Sequence, residues 1–205
     1  VDTWAALDNE LDHLGDLVMR VRSEQGNSLV PLSDWDIEVA AKRQAKRTGQ
    51  GVDALGPADI LDVPDYGRAG LADLVRVFEE EWSWPWQLLL NVCHSVAKPQ
   101  GGDRAIATAP YCVRLWGMAR RDATDDWCED NAAWWDDAVA RSSALRTALS
   151  RCLRDEAAHA LGLCTMASLV DIKGLYGHIS MAKLFARGLE WGYPCQVLSM
   201  SLGVY

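Results

Sequence analysis

Val96-Ala97-Lys98-Pro99-Gln100-Gly101-Gly102-Asp103-Arg104-Ala105-Ile106 decides the fold class of this chain. Apolar runs flank it, and a lysine and an arginine stand on either side of a glycine turn. Gln100 to Asp103 is turn chemistry. The pattern predicts a β-hairpin, with one strand in the second half of 87–97, a return strand over 104–108, and Pro110 closing it. Glycine lets a ligand approach the backbone with no Cβ in the way. A ribbon of this kind can hold two cations on the same side of a cleft. A triphosphate is strongly anionic, so a fixed Lys98/Arg104 pair is a natural clamp for it. Arginine grips phosphate oxygens bidentately, while lysine acts as a point charge. The alternative is a surface hairpin whose basic residues are simply solvated.

Outward from the hairpin the chain reads mostly as helix. Leu7, Leu11, Leu14, Leu17 and Val18 recur at helical spacing and predict a helix over 2–25, ended by Gly26-Asn27. Ser33 is the expected N-cap of a second helix reaching about Arg47, with Asp34 and Asp36 in its first turn. Gly49, Gly51, Gly56 and Gly67, with Pro57 and Pro64, mark 48–67 as mostly loop. A third helix is expected over 69–82, broken by Trp84-Pro85-Trp86. After the hairpin come a helix over 111–121, a long helix over 130–161 with Gly162 as its cap, a short buried strand over 166–170, and helices over 179–188 and 194–203.

The bulk composition sets limits. The 205 residues fit one large domain or two small ones. A content of 49% hydrophobic and 24% charged residues is ordinary for a globular protein. No apolar run reaches the ~18–20 residues of a membrane span. The first residues lack the pattern of a signal peptide, so the expected location is intracellular. The chain starts without methionine and is expected to be cut from a longer product. Six scattered cysteines form no C-x-x-C pair, which gives zinc and redox chemistry little support. They are expected to be small core residues. A net charge of −9 weighs against a nucleic-acid binder, since phosphate contacts need lysine and arginine. Charge is local, however. Lys42, Arg43, Lys46 and Arg47 predict one basic face, and Arg114, Arg120 and Arg121 a second. Acid gathers in Glu79-Glu80-Glu81 and across 122–137. Sequence beyond Tyr205 is expected to carry much of the basic surface.

A second signal lies about 65 residues after the hairpin. Met166-Ala167-Ser168-Leu169-Val170 is a strand-length apolar run ending at Asp171. A carboxylate there is costly unless it meets a cation or hydrogen-bond donors. Magnesium suits carboxylate oxygen together with substrate phosphate, and a metal pair can activate an attacking hydroxyl and stabilise a leaving pyrophosphate. The alternative is an N-cap for the next helix.

In this order the two signals resemble the fingers hairpin and first palm motif of reverse transcriptases of the non-LTR retroelement and group II intron type. That family carries Lys-Pro-x-Gly-Gly-x-Arg-Pro-Ile at the hairpin. This chain matches at Lys98, Pro99, Gly101, Gly102, Arg104 and Ile106, and departs at Ala105. The helix from Tyr111 to Trp116 also resembles the family's continuation. The first palm motif reads Asp-Ile-x-x-Phe/Tyr-Asp-x-Ile, against Asp171-Ile172-Lys173-Gly174-Leu175-Tyr176-Gly177-His178-Ile179 here. Gly177 replaces the second aspartate. Trp191-Gly192-Tyr193-Pro194 resembles the Leu-Gly-Phe-Pro-like turn usual after this motif.

The resemblance implies roles. Arg104 and Lys98 would contact the incoming nucleotide's phosphates, Asp171 would be the catalytic Mg²⁺ ligand, and Tyr176 would pack under the sugar. The implied partners are an RNA template, a DNA primer and deoxynucleotide triphosphates, with no membrane. The implied fold is α+β and predominantly helical: an N-terminal helical region over 1–83, a fingers subdomain over 84–160, and the start of a palm over 161–205. A nuclear location follows if the source is a eukaryotic retroelement.

A working palm also needs an aromatic-x-Asp-Asp pair after the first motif, and no aspartate follows Asp171. The chain by itself is therefore expected to be inactive as a nucleotidyltransferase, although its parent would be an RNA-directed DNA polymerase. Trp134-Trp135-Asp136-Asp137 spells that signature but precedes Asp171 amid helical patterning. Its tryptophans are expected in the core and its aspartates in water. In Asp155-Glu156 with His159, positions 155 and 159 are one helical turn apart and could bind a metal, but no third ligand is in view and a solvated face is expected. Trp82, Trp84 and Trp86 alternate, so an extended segment would align them for base stacking. Core packing is the commoner role. The competing functional class is a degenerate, non-catalytic helical binding or scaffold protein, favoured by the net charge, Ala105 and Gly177.

Overall fold

Leucines at helical spacing wind Thr3–Gln25 into α1, which Gly26 closes at φ +64°. Residues 3–45, 48–133, 136, 143–166 and 179–204 are described by this computed structural model. Ser33 opens α2 (Asp34–Lys42) with a reciprocal cap. Its hydroxyl accepts from the Asp36 N–H at 3.3 Å, and the Asp36 carboxylate accepts from the Ser33 N–H at 2.8 Å. The helix stops short of Arg47, which lies outside the described residues.

The stretch expected as loop over 48–67 holds α3 (Pro57–Asp62) and the first turn of α4 (Asp65–Glu81). Proline explains the difference. Pro57 and Pro64 sit where a helix begins, so a missing N–H and a fixed φ cost nothing there. Asp59 reinforces the start of α3 by accepting from the Gly56 N–H at 2.8 Å. Trp82 ends α4 in the left-handed region at φ +55°, and Pro85 leads into a single 3-10 turn, Trp86–Leu89.

β1 (Val92–Ala97) and β2 (Asp103–Thr108) form the expected hairpin, pairing antiparallel from Val92 opposite Thr108 to Ala97 opposite Asp103. Among the described residues this ribbon is the one sheet. α5 (Tyr111–Ala119) follows, then α6 (Arg121–Asn131) and α7 (Ala144–Ala160). The single helix expected over 130–161 is thus interrupted: α6 ends at Asn131, and the Ser143 hydroxyl accepts from the Arg146 N–H to start α7 afresh. Gly162, at φ +71°, closes α7 as its sequence predicts. The strand expected over 166–170 falls on Met166, which is neither helix nor strand, and on residues outside those described. α8 (Met181–Glu190) and α9 (Cys195–Leu202) complete the chain, separated by the predicted Gly-Tyr-Pro break. The class is α+β, predominantly helical. No described helix is long and apolar enough to cross a membrane.

Packing divides the chain into two units, Val1–Asp122 with Ser180–Tyr205, and Ala123–Ile179. The first holds three apolar clusters. Ile37, Ala40 and Ala41 of α2 meet Ala72 of α4 and Tyr111 and Leu115 of α5. Val75, Trp84, Val113, Trp116, Val197 and Met200 form the second, where Trp84 stands edge-on to Trp116 at 5.3 Å. Val21, Trp82, Phe185 and Leu202 form the third. At roughly 25 cal/mol per Å² and about 150–250 Å² per aromatic ring, each buried indole contributes on the order of 4–6 kcal/mol before entropy. In the second unit no side chain of α7 is fully buried, and Leu145, Leu149 and Leu153 face outward. The cysteines correct the expectation of core residues. Cys93, Cys152 and Cys164 are exposed, and Cys112, Cys128 and Cys195 are half-buried.

Candidate functional site

The hairpin tip is built by glycine. Gly101 and Gly102 take φ +88° and +81°, where a Cβ would cost about 1–2 kcal/mol each. Lys98 N–H donates to the Gly102 carbonyl at 2.8 Å, which carries the ladder one step beyond Ala97. Side chains alternate along a strand. The register therefore assigns His94, Val96 and Lys98 of the first strand to one face, with Arg104, Ile106 and Thr108 of the second. Arg104 lies directly across from Val96 and diagonally from Lys98. The ribbon's one carboxylate, Asp103, lies opposite Ala97 on the other face. That other face carries only small side chains otherwise: Cys93, Ser95, Ala97, Ala105 and Ala107.

The cationic face is open, since Lys98 and Arg104 are both exposed. Neither has a carboxylate partner among the described residues. Several other cations of the same unit pair with carboxylates. Arg22 pairs with Glu81 at 2.9 Å, Arg76 with Asp73 at 3.2 Å, Arg68 with Glu38 and Asp65, and Arg187 with Glu190. In a chain of net charge −9 the ribbon face carries a local pair of cations.

The base of the ribbon is held from several sides. Asn91 donates to the Val204 carbonyl at 3.1 Å. Gly51 lets the 48–53 loop lie against Ala109 and Pro110, where any Cβ would strike backbone at 2.6 Å. Asp53 accepts from the Cys112 N–H at 3.2 Å, at the start of α5. Arg114 donates to the Thr48 hydroxyl at 3.0 Å and the Gly49 carbonyl at 2.6 Å, with its guanidinium 5.4 Å from the Tyr111 ring centroid. Burial pushes the Tyr111 hydroxyl up to about 12, and raises the Cys112 thiol as well. Neither is a nucleophile at neutral pH. A groove of about 400 Å³ runs along this base, between Ala107, Ala109, Val113, Trp116 and Ser201.

Among the described residues, the members of both expected basic faces are engaged by other groups of the chain. Arg120 is buried and forms a two-pronged pair with Glu79 at 2.6 Å, and also donates to the Val30 carbonyl at 2.7 Å. Arg114 serves the loop, and Arg121 has partners of its own. Lys42 pairs with Glu38 and Arg43 with Asp122, while Lys46 and Arg47 lie outside the described residues. Acids outnumber bases 29 to 20, so a base brought close by packing readily meets a carboxylate.

Glu79 is the residue that the acidic run concealed. It follows Arg68, Ala72 and Val75 on the buried stripe of α4, a spacing that marks a core position. Its carboxylate also accepts from the Trp116 indole at 2.8 Å, and its backbone carbonyl accepts from Gln196 at 2.7 Å. The tryptophan alternation is packing. Trp82 is 3% and Trp84 6% exposed, their indoles donating to Asn27 and to the Met200 carbonyl, while Trp86 is 68% exposed.

Among the described residues no cluster of three or more His, Cys, Asp or Glu could hold a metal. Asp155, Glu156 and His159 are exposed on α7, as a solvated face should be. Asp171 and Tyr176, expected to bind Mg²⁺ and the nucleotide sugar, lie outside the described residues, as do Trp134, Trp135 and Asp137. Comparison with family models, curated proteins and solved structures found no match for this chain.

Proposed function

We propose that this chain carries the fingers ribbon and the beginning of the palm of an RNA-directed DNA polymerase, and that the ribbon clamps the phosphates of an incoming deoxynucleotide. One observation carries the reading: the glycine-tipped ribbon presents Lys98 and Arg104 on one open face, with no carboxylate partner among the described residues. Positioning and charge neutralisation are what phosphoryl transfer asks of a protein. Arg104 would grip phosphate oxygens bidentately, and Lys98 would supply a second charge from the neighbouring strand. By the resemblance Asp171 would hold Mg²⁺, an ion that neutralises part of a triphosphate's charge. With a single carboxylate at that motif, the chain alone binds nucleotide without extending a primer.

Deoxynucleotide triphosphate with Mg²⁺ is expected to raise the melting temperature of the chain, and Arg104→Ala to abolish the rise while leaving the unliganded melting temperature unchanged. An equal rise in the Arg104→Ala variant would contradict the clamp. A second reading, a non-catalytic helical scaffold, draws on the net charge of −9 and on the pairing of Arg22, Arg68, Arg76, Arg120 and Arg187 with carboxylates. It predicts no nucleotide-dependent shift at all.

A further inference from the structure

The ribbon's open face carries more than the two residues of the clamp. His94 stands on the same face, two positions behind Val96 and four behind Lys98, directly opposite Ile106 and diagonal to Arg104. At about 3.3 Å per residue, Lys98 to His94 is a row of about 13 Å. A nucleic-acid strand advances about 3.4 Å per phosphate along its axis, so the row spans several phosphates. Val96 and Ile106, 47% and 44% exposed, lie between the polar positions and offer apolar contact to sugar or base.

We propose that His94 is a third phosphate contact on this face, and that its protonation makes anion binding by the ribbon depend on pH. The inference rests on the reading of the ribbon as a phosphate clamp. Histidine changes charge between pH 5 and 8, so the face would gain a cation as the pH falls through that range. The surroundings allow it. Among the described elements β2 packs most closely on β1, and it faces His94 with Ile106 and, diagonally, with Arg104. Cys93 and Asp103, the other titratable groups of the ribbon, belong to the opposite face. No carboxylate holds His94 among the described residues, and the side chain is exposed. The shared ligand chemistry is a chain of phosphates, either the triphosphate of a nucleotide or the backbone of a single strand.

The test is fluorescence anisotropy between pH 5.5 and 8.0 at constant ionic strength, with two probes: a labelled 20-nucleotide single-stranded RNA and a labelled deoxynucleotide triphosphate with Mg²⁺. For whichever probe is the ligand, affinity is expected to rise about five- to tenfold on going from pH 7.5 to 5.5. His94→Gln should flatten that rise. For the RNA it should also lower the salt slope at pH 5.5 by about 0.7. The probe that shows the His94-dependent rise identifies the source of the phosphates. A rise that persists undiminished in His94→Gln, or no rise with either probe, would overturn the role of His94. Arg104→Ala separates the two readings. If it weakens binding at every pH while His94→Gln changes nothing, the clamp stands and the histidine contact falls. If neither substitution alters binding, both fall.

Discussion

Glu79 and Arg120 show how far a single residue's surroundings can depart from its sequence context. In the sequence, Glu79 begins an acidic triplet that reads as solvated surface. In the fold it is buried, gripped by Arg120 on both oxygens and by the Trp116 indole on one. Removing one partner of such a pair leaves an uncompensated buried charge, which costs about 3–5 kcal/mol. Glu79→Ala is expected to destabilise the first unit by that amount in urea unfolding. The joint replacement Glu79→Leu with Arg120→Met should cost less than Glu79→Ala alone. The signal for Glu79 was present, because 68, 72, 75 and 79 repeat at helical spacing. The identity of its partner was not, because Arg120 lies 41 residues away and only packing brings it close.

At the scale of elements, local chemistry was legible wherever it was self-contained. The Ser33 cap, the Gly26 and Gly162 stops and the glycine tip of the hairpin all follow from residues within a few positions of one another. Proline misled where it opens helices instead of breaking them, at Pro57 and Pro64. The interruption between α6 and α7 was hidden by apolar and acidic residues that suit a helix throughout. Ser33→Ala removes a side-chain acceptor from the first turn of α2 and should cost about 1 kcal/mol, read as a lower urea midpoint with an unchanged slope. Glu38, in the same helix, has its carboxyl held below its ordinary value of 4.5, first by the hydrogen bond from Lys42 and then by that residue's charge, with a smaller contribution from Arg68. A depressed carboxyl stabilises the fold above the unfolded value and loses that stabilisation as the pH falls through the folded one. Stability should therefore decline below about pH 4.5. Glu38→Gln should make the decline shallower in a series of thermal melts.

For the molecule as a whole, the distribution of charge decides more than its sum. The net charge of −9 argues against a phosphate ligand only if it is spread evenly, and it is not. Arg22, Arg68, Arg76, Arg120 and Arg187 are committed to carboxylates of the fold, whereas Lys98 and Arg104 of the ribbon are exposed and have no carboxylate partner among the described residues. Composition could not reveal this, since pairing is a property of packing. The two ordered motifs suggested a polymerase, and the hairpin that carries the first of them is formed. The most direct measurement is of Arg104 itself: ¹⁵N-edited spectra of its Nε–Hε group during titration with deoxynucleotide triphosphate and Mg²⁺. A phosphate clamp predicts a saturable shift of that signal, weakened in Lys98→Ala. An Arg104 signal that stays in place at saturating nucleotide would contradict the account.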